Sequence, residues 1–421
     1  MSEQTTGDMP TRHDALKGLR IVDFSIVMSG PMCTRMLADS GADVIKVEAP
    51  SGDVVRQRPP LLEGHSTYFA SLNCGKRSIV LDLKTPEGKK LAYQLAMEAD
   101  VVVENFRPGV MKRLGLDYPT LSRENPRLVY CSISGFGQEG PLAGAPAYAP
   151  VIHAASGYEQ AYTQYQNQGE DSKPANNGIF IADVLGASYA AYAVQLALYD
   201  RERTGQGQYV DVALLDSVLG MLIYEIQAAQ FPPKQTRQVY EPVRASDGFV
   251  MIAAVTPKNQ EVLFDVIGFP QGMTDPRFST VRAKEENWAA LLQIIESWTS
   301  QRTAMECESA LLAAGVPCSR YRTVGEAMVA PQTVARGTMA RLEVAGEPFL
   351  VANPAFKLSR TRAEARALVA SLGQHTDEVL HEVLGCTAEM LATLRQKGVL
   401  GMTNAAPIEA SPDRAPVAEA T

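Results

Sequence analysis

Leu19-Arg20-Ile21-Val22-Asp23-Phe24, then Gly30-Pro31, then Gly41-Ala42-Asp43-Val44-Ile45-Lys46-Val47-Glu48 is the stretch that sets the architecture. Both apolar runs have the length of a buried strand, and the helix signal between them, opened by Gly30-Pro31 and running from Met32 to Asp39, is one crossover long. The pattern recurs downstream. Ser78–Leu83, Ala99–Asn105 and Leu128–Ser134 read as strands, and Thr85 to Glu98 as a helix with Pro86 in its first turn. Short apolar strands alternating with helices predict an α/β fold: a Rossmann-like domain with a mostly parallel sheet covered on both faces. No G-x-G-x-x-G follows the first strand, so a dinucleotide is not indicated. Gly205-Gln206-Gly207-Gln208, ahead of a strand from Tyr209 to Leu214, reads as a helix-to-strand turn.

From about residue 240 the pattern changes. Asp247–Ala254 is hairpin-like, helices are predicted around 258–267, 284–299 and 302–314, and the run reads as a smaller α+β domain. Strand-like Met339–Val344 and Phe349–Val351, then a helix over 376–384, return the chain to the first domain. The expected organisation is a flexible N-terminus over 1–14, a large domain from 15–225 and 335–401, a small domain over 240–330 and a disordered tail over 402–421, rich in Ala, Pro and Glu.

The 421 residues are 46% hydrophobic and 20% charged, enough for two core-bearing domains and too many for one small module. Lys+Arg 39 against Asp+Glu 47 leaves −8, so bulk charge offers nothing to nucleic acid or an anionic membrane. An anionic ligand must be met by local cations. The six cysteines carry no C-x-x-C and the five histidines no metal-like spacing with them, which indicates reduced thiols and no structural metal. No apolar leader opens the chain and no run reaches the ~18 to 20 residues of a membrane span, so the cytoplasm is the expected compartment.

One carboxylate stands out. In Ile181-Ala182-Asp183-Val184-Leu185-Gly186-Ala187-Ser188-Tyr189-Ala190-Ala191-Tyr192, Asp183 lies at the start of a helix, where the dipole and free N–H groups favour an ionised side chain. It reads as an N-cap. Gly186, Ala187, Ser188, Ala190 and Ala191 allow a long ligand or a neighbouring backbone to come close. Capping alone would account for the aspartate, and only its company along the chain suggests more.

That company is Leu16–Phe24, Gly30-Pro31, Gly41–Glu48, Lys76–Ile79, Leu81–Lys84, Glu104-Asn105-Phe106-Arg107-Pro108-Gly109, Ser134–Gly137, the Asp183 helix, Arg203–Gln208 and Gly373–Thr376. Each is weak alone. In this order and spacing they resemble the family III CoA-transferases, a family that includes formyl-CoA transferase, carnitine and dicarboxylate CoA-transferases and 2-methylacyl-CoA racemases. The resemblance implies a discontinuous Rossmann-like large domain, a smaller inserted α+β domain and an interlocked homodimer. It implies that Asp183 is the catalytic aspartate. It further implies that Met28, Ser29, Ala49, Leu81, Asp82, Leu83, Lys84, Asn105, Phe106, Arg107 and Arg113 line the CoA site. No tightly bound cofactor is implied, since coenzyme A and acyl-CoA are substrates; the partners are an acyl-CoA donor and a carboxylic acid acceptor.

The chemistry of the residues agrees with the resemblance. CoA is polyanionic, and Lys84, Arg107 and Arg113 fall where strand-end loops belong. A buried carboxylate can attack a thioester carbonyl, and backbone N–H groups near Gly186 would stabilise the oxyanion. One thioester replaces another, so no ATP is needed and no Walker sequence is present. The competing reading on the same fold is a racemase that moves a proton beside the thioester. Such enzymes carry a His where this chain has Tyr148, and a phenol near pKa 10 is a poor proton carrier but a good donor to a substrate carboxylate. His153, five residues on, reads as a structural helix-face histidine. A third reading is an inactive CoA-binding protein.

Two departures from formyl-CoA transferase argue against oxalate and formyl-CoA as substrates. No glycine-rich loop lies between Tyr240 and Ala254, and Met28 replaces that enzyme's glutamine. Succinyl-CoA with a dicarboxylic or hydroxy-acid acceptor is the family-level expectation. Residues 155–178, with Tyr158, Tyr162 and Tyr165, read as an ordered loop over the acyl pocket.

Overall fold

The computed structural model describes residues 13–166, 172–232 and 240–401. The chain divides into two compact units, with boundaries between Ala229 and Gln230 and between Ala335 and Arg336.

The larger unit is built on strands β1 (Arg20–Asp23), β2 (Asp43–Glu48), β3 (Lys76–Val80), β4 (Val101–Glu104), β5 (Val129–Ser134) and β6 (Tyr209–Ala213). They form one six-stranded sheet in the order β3-β2-β1-β4-β5-β6. Every pairing is parallel. Alternate residues serve opposite faces, so Ile21, Val101, Val103, Val129 and Cys131 face one core while Val22, Val102 and Tyr130 face the other. That is why these strands read as continuous apolar runs. The strand order reverses between β1 and β4, and in such a sheet ligands bind in the crevice outside the strand ends at that point.

Helices α1 (Ser29–Asp39), α2 (Thr67–Asn73), α3 (Pro86–Met97), α4 (Ala149–Ala155), α5 (Tyr158–Tyr165) and α6 (Ile181–Thr204) surround the sheet. Leu37 of α1 and Ala187, Ala190, Ala191 and Val194 of α6 fill the first core; Leu91 and Leu95 of α3 fill the second.

Five readings need correction. The third strand starts at Lys76, two residues before its apolar run, because the Lys76 ammonium is buried on Asp23 at 3.1 Å and tolerates the sheet interior. Tyr158–Tyr165 is helical rather than loop, tied by Thr163, whose hydroxyl donates to the Glu159 carbonyl (2.7 Å) and accepts from the Ala175 N–H (2.7 Å). The helix expected over 284–299 breaks at Asn287, whose side chain caps the Ala283 carbonyl at 2.8 Å. His13–Asp14, expected to be loose, pairs in parallel with Thr361–Arg362, and Asp14 meets Arg362 and Arg366. Lastly, α6 is long and apolar enough to cross a membrane by length and composition; its alanines hid this, and one of its faces is packed in the core. Residues 1–12 and 402–421 lie outside the described residues.

In the smaller unit, Phe249–Ile252 pairs antiparallel with Val243–Arg244 and with Cys318–Arg320. Helices Pro257–Val266, Trp288–Thr299 and Ala304–Ala313 close over Val250, Phe264, Leu291 and Cys307.

Candidate active site

Asp183 is the third residue of α6, not its N-cap; Phe180 holds the cap position without a side-chain bond. The aspartate is therefore free to point outward from the first turn. Ser29, first residue of α1, faces it with both hydroxyl and N–H, so two helix starts converge on one carboxylate. Burial raises the Asp183 pKa to about 6, and the Ser29 donors only partly offset that. The group ionises near neutrality and is poorly hydrated, which suits a nucleophile.

Gly186 is not an oxyanion donor. It lies inside the helix, and the room made by its missing side chain is filled by the Leu214 side chain, which a Cβ there would meet at 2.3 Å. Ala187, Ala190 and Ala191 likewise admit core neighbours, while Ser188 is exposed.

The loop joining β1 to α1 forms the wall opposite Asp183. Val27 sits at φ +67°, a backbone region that costs a β-branched residue about 1–3 kcal/mol. The Val27 N–H donates to Asp53 at 3.2 Å, and Asp53 pairs with the fully buried Lys46 at 3.2 Å. The Lys46 ammonium also donates to the Ser25 carbonyl at 2.8 Å. Asn105 takes both polar groups of Ile26, accepting from its N–H and donating to its carbonyl, each at 2.8 Å. At Gly30 the chains leave no space: a Cβ would lie 2.2 Å from that of Ser25 and 3.3 Å from Asn105. Tyr68 of α2 donates to the Met28 sulfur at 3.3 Å, and burial together with the facing Asp183 carboxylate pushes its phenol up.

The remaining candidates follow strand ends along the same edge of the sheet. Ala49 follows β2, Leu81–Lys84 follow β3, and Asn105–Arg107 follow β4. Lys84, Arg107 and Arg113 are exposed and enter no ion pair among the described residues, leaving three cations for a polyanion. Leu81 departs from the expectation: its side chain is wholly buried in the core, so only its backbone can meet a ligand. Asp82 accepts from the Lys84 N–H at 2.9 Å, and Phe106 and Leu83 lean on the second core. Tyr148 stands at the start of α4, 69% exposed.

His153 of α4 is buried, and its Nε2 accepts the Ala182 N–H at 3.1 Å, capping the helix that carries Asp183. Burial lowers its pKa, which keeps the imidazole neutral for that bond. His153→Leu is expected to lower stability by about 1–3 kcal/mol, seen as a lower urea midpoint, because a buried N–H loses its acceptor. The sequence held no signal for this cap or for the Tyr68–Met28 bond, whose partners lie 29 and 40 residues apart, nor for Lys46–Asp53, which are close in the chain but are buried together only against the Ser25–Val27 loop.

A doubly wound sheet with a half-buried carboxylate and unpaired cations along one edge defines an α/β protein built to handle a large anionic ligand. The family model for CoA-transferase family III matches residues 16–376, and the chain belongs to that family as an enzyme of it, a CoA-transferase. It is 35% identical to the succinate–glutarate CoA-transferase of Agrobacterium fabrum, over 89% of this chain and 97% of that protein. It is 33% identical to the succinyl-CoA–D-citramalate CoA-transferase of Chloroflexus aurantiacus, over 91% and 98%. It is 36% identical to the acetyl-CoA:oxalate CoA-transferase of Acetobacter aceti, over 80% and 87%. A crystal structure of a CAIB/BAIF family protein from Brucella suis superposes with a TM-score of 0.77 at 33% identity, covering 88% of this chain and all of that one (100%).

Proposed function

We propose that this CoA-transferase moves CoA from succinyl-CoA, or another dicarboxylyl-CoA, to a free carboxylic acid through covalent intermediates on Asp183. The observation that carries the proposal is the Asp183 carboxylate itself, half-buried with a pKa near 6 and met by Ser29 at the start of α1. Its ionised oxygen attacks the thioester carbonyl, the C–S bond breaks, and an aspartyl anhydride and CoA thiolate form. The thiolate attacks the aspartyl carbonyl and releases the donor acid, leaving CoA on Asp183 as a thioester. The acceptor carboxylate then attacks that thioester, expelling CoA thiolate and forming a second anhydride, and the thiolate attacks the acceptor's acyl carbonyl, forming the new acyl-CoA and releasing the Asp183 carboxylate. Lys84, Arg107 and Arg113, with the backbone around Met28, Ala49, Leu81 and Asn105, hold the CoA moiety.

His153 is occupied by the Ala182 N–H, which argues against a proton-shuttling racemase. The names of relatives support a dicarboxylic donor, as in the succinyl-CoA–D-citramalate enzyme. The oxalate enzyme of Acetobacter aceti is as similar, so overall identity does not separate the acceptors, and Met28 and the exposed Tyr148 are the local features that argue for a larger acid. The proposed active form is a cytoplasmic homodimer. Tyr192, Leu196 and Tyr199 leave an apolar stripe exposed on α6, an extent that isolated surface side chains do not reach. Light scattering is expected to give twice the 45.5 kDa chain mass.

Intact-protein mass spectrometry after mixing with succinyl-CoA tests the mechanism. A CoA adduct that becomes a hydroxamate with hydroxylamine supports it. No adduct, with deuterium uptake beside the thioester of a 2-methylacyl-CoA, would favour the racemase. Turnover should also fall on the acid side, with its midpoint near pH 6 and about a tenfold loss per unit below, because only ionised Asp183 attacks.

A further inference from the structure

We propose that Asn105, backed by the Lys46–Asp53 pair, is a positioning residue for the transfer reaction, fixing the strained β1–α1 loop so that Ser29 meets the nucleophilic carboxylate. The inference rests on Asp183 being the nucleophile. The family resemblance gives Asn105 a place along CoA; its own bonds point elsewhere. The side-chain oxygen accepts from the Ile26 N–H, and the amide donates to the Ile26 carbonyl, both at 2.8 Å. The same amide also reaches the Ser29 hydroxyl at 3.3 Å. A serine hydroxyl that accepts from Asn105 has its proton directed away from it, toward Asp183. The three bonds use both amide hydrogens and the oxygen, leaving the side chain one free lone pair for a ligand.

The second half of the clamp acts on Val27. Left alone, a valine would leave φ +67° for an extended conformation and carry Met28 and Ser29 with it. Asp53 holds the Val27 N–H from one side and Lys46 holds the Ser25 carbonyl from the other. Both charged side chains are at least 97% excluded from solvent, so water does not weaken their hold. The clamp therefore sets where Ser29 stands. Ser29 donates to the carboxylate, and the titratable and charged groups near it are the Tyr68 phenol, with Arg58 and Asp53 acting on that phenol, and Lys46 paired with Asp53. His153 lies behind Ala182.

The test compares Asn105→Ala, Asn105→Asp and Ser29→Ala in steady-state kinetics with succinyl-CoA. Positioning predicts a fall in kcat of roughly tenfold to a hundredfold for Asn105→Ala with KM changed less than about threefold. It also predicts an acid limb moved up by about half a unit, because Asp183 loses a donor. Asn105→Asp should behave alike, since aspartate keeps the acceptor but has no hydrogens to give. Adding Ser29→Ala to Asn105→Ala should cost little more, as both act through one bond. For the other half of the clamp, Asp53→Asn should be partly rescued by Val27→Gly, because glycine adopts φ +67° without strain. Where Asp53→Asn does not fold, Asn105→Ala, which unpairs no buried charge, decides. A raised KM with kcat and acid limb unchanged would make Asn105 a CoA contact only and overturn the inference. Failure of the nucleophile reading looks different: the natural chain itself would form no covalent adduct.

Discussion

Asp183→Ala is expected to lower turnover at least about a thousandfold and to abolish the CoA adduct, while leaving the fold intact. The loss follows from chemistry, since alanine offers no oxygen to attack the thioester and no described neighbour can replace it. Ser29 and Tyr68 stand nearest the carboxylate, and neither is a comparable nucleophile at neutral pH. Stability should move the other way. The Asp183 pKa is raised from 3.8 to about 6, so its stabilising, protonated form is fully present below 3.8 and lost as pH rises through 6. At pH 7.5 the ionised group therefore costs the fold up to about 2 kcal/mol, an upper figure because the side chain is partly solvated. Urea unfolding should find the variant at least as stable as the natural chain at pH 7.5, with any advantage shrinking between pH 6 and 3.8. A dead variant that is also much less stable would mean that Asp183 holds the structure rather than the reaction.

Lys76→Met is expected to cost about 3–5 kcal/mol, a large share of an ordinary domain's stability. The Lys76 ammonium is buried and donates to Asp23 (3.1 Å), the Pro31 carbonyl (2.8 Å) and Asn73 (2.8 Å). Methionine fills the space but leaves the fully buried Asp23 without its nearest cation. Ser25 and Thr34 hydroxyls remain on Asp23 and cannot neutralise it. Burial alone would push Asp23 up, yet Lys76 and Lys46 bring it down to about 2. In the natural chain the Asp23 contribution is present above pH 3.8 and lost as pH falls through about 2, while burial lowers the Lys76 ammonium to about 8, a cost that offsets part of that gain. In Lys76→Met the carboxyl should protonate on folding, so the gap between variant and natural chain narrows as pH falls below 7. Thermal and urea midpoints at pH 7 and near pH 4 measure this. Asp23→Leu added to Lys76→Met should recover part of the loss, because an apolar pair removes the stranded charge. An equal deficit at both pH values would show that packing, not charge, is what Lys76 supplies.

The two predictions separate what the local sequence specifies from what it does not. The third strand reads from Ser78 because the apolar run starts there, and a local pattern gives no reason to place the Lys76 ammonium in the sheet interior. Its partner Asp23 lies 53 residues away. Similarly, Asp183 read as a cap because an acidic residue ahead of small apolar ones fits that role; the helix in fact begins at Ile181, and His153 supplies the acceptor that a cap would have given. Residues 155–178 lacked clear periodicity, and part of that run became helical only through contacts such as Thr163 with Ala175.

Some features needed no tertiary structure. The parallel sheet was legible because strands buried on both faces must be continuously apolar, and Ile21-Val22, Val44-Ile45, Val101-Val102-Val103 and Val129-Tyr130-Cys131 are. The family was legible because motif order survives in one dimension, and the same order singled out Asp183 as the carboxylate proposed to act. The strand order, and with it the switch point between β1 and β4, was not legible, because pairing is a choice among distant segments that local pattern leaves open. The Asn105–Ile26 contact, the hold of Asp53 on Val27 and of Lys46 on Ser25, and the Ser29 donors on Asp183 come into being only when that choice is made. Chain composition decided which groups were available; the fold decided which of them meet, since hydrogen bonds and ion pairs act over a few ångströms of space and not along the sequence.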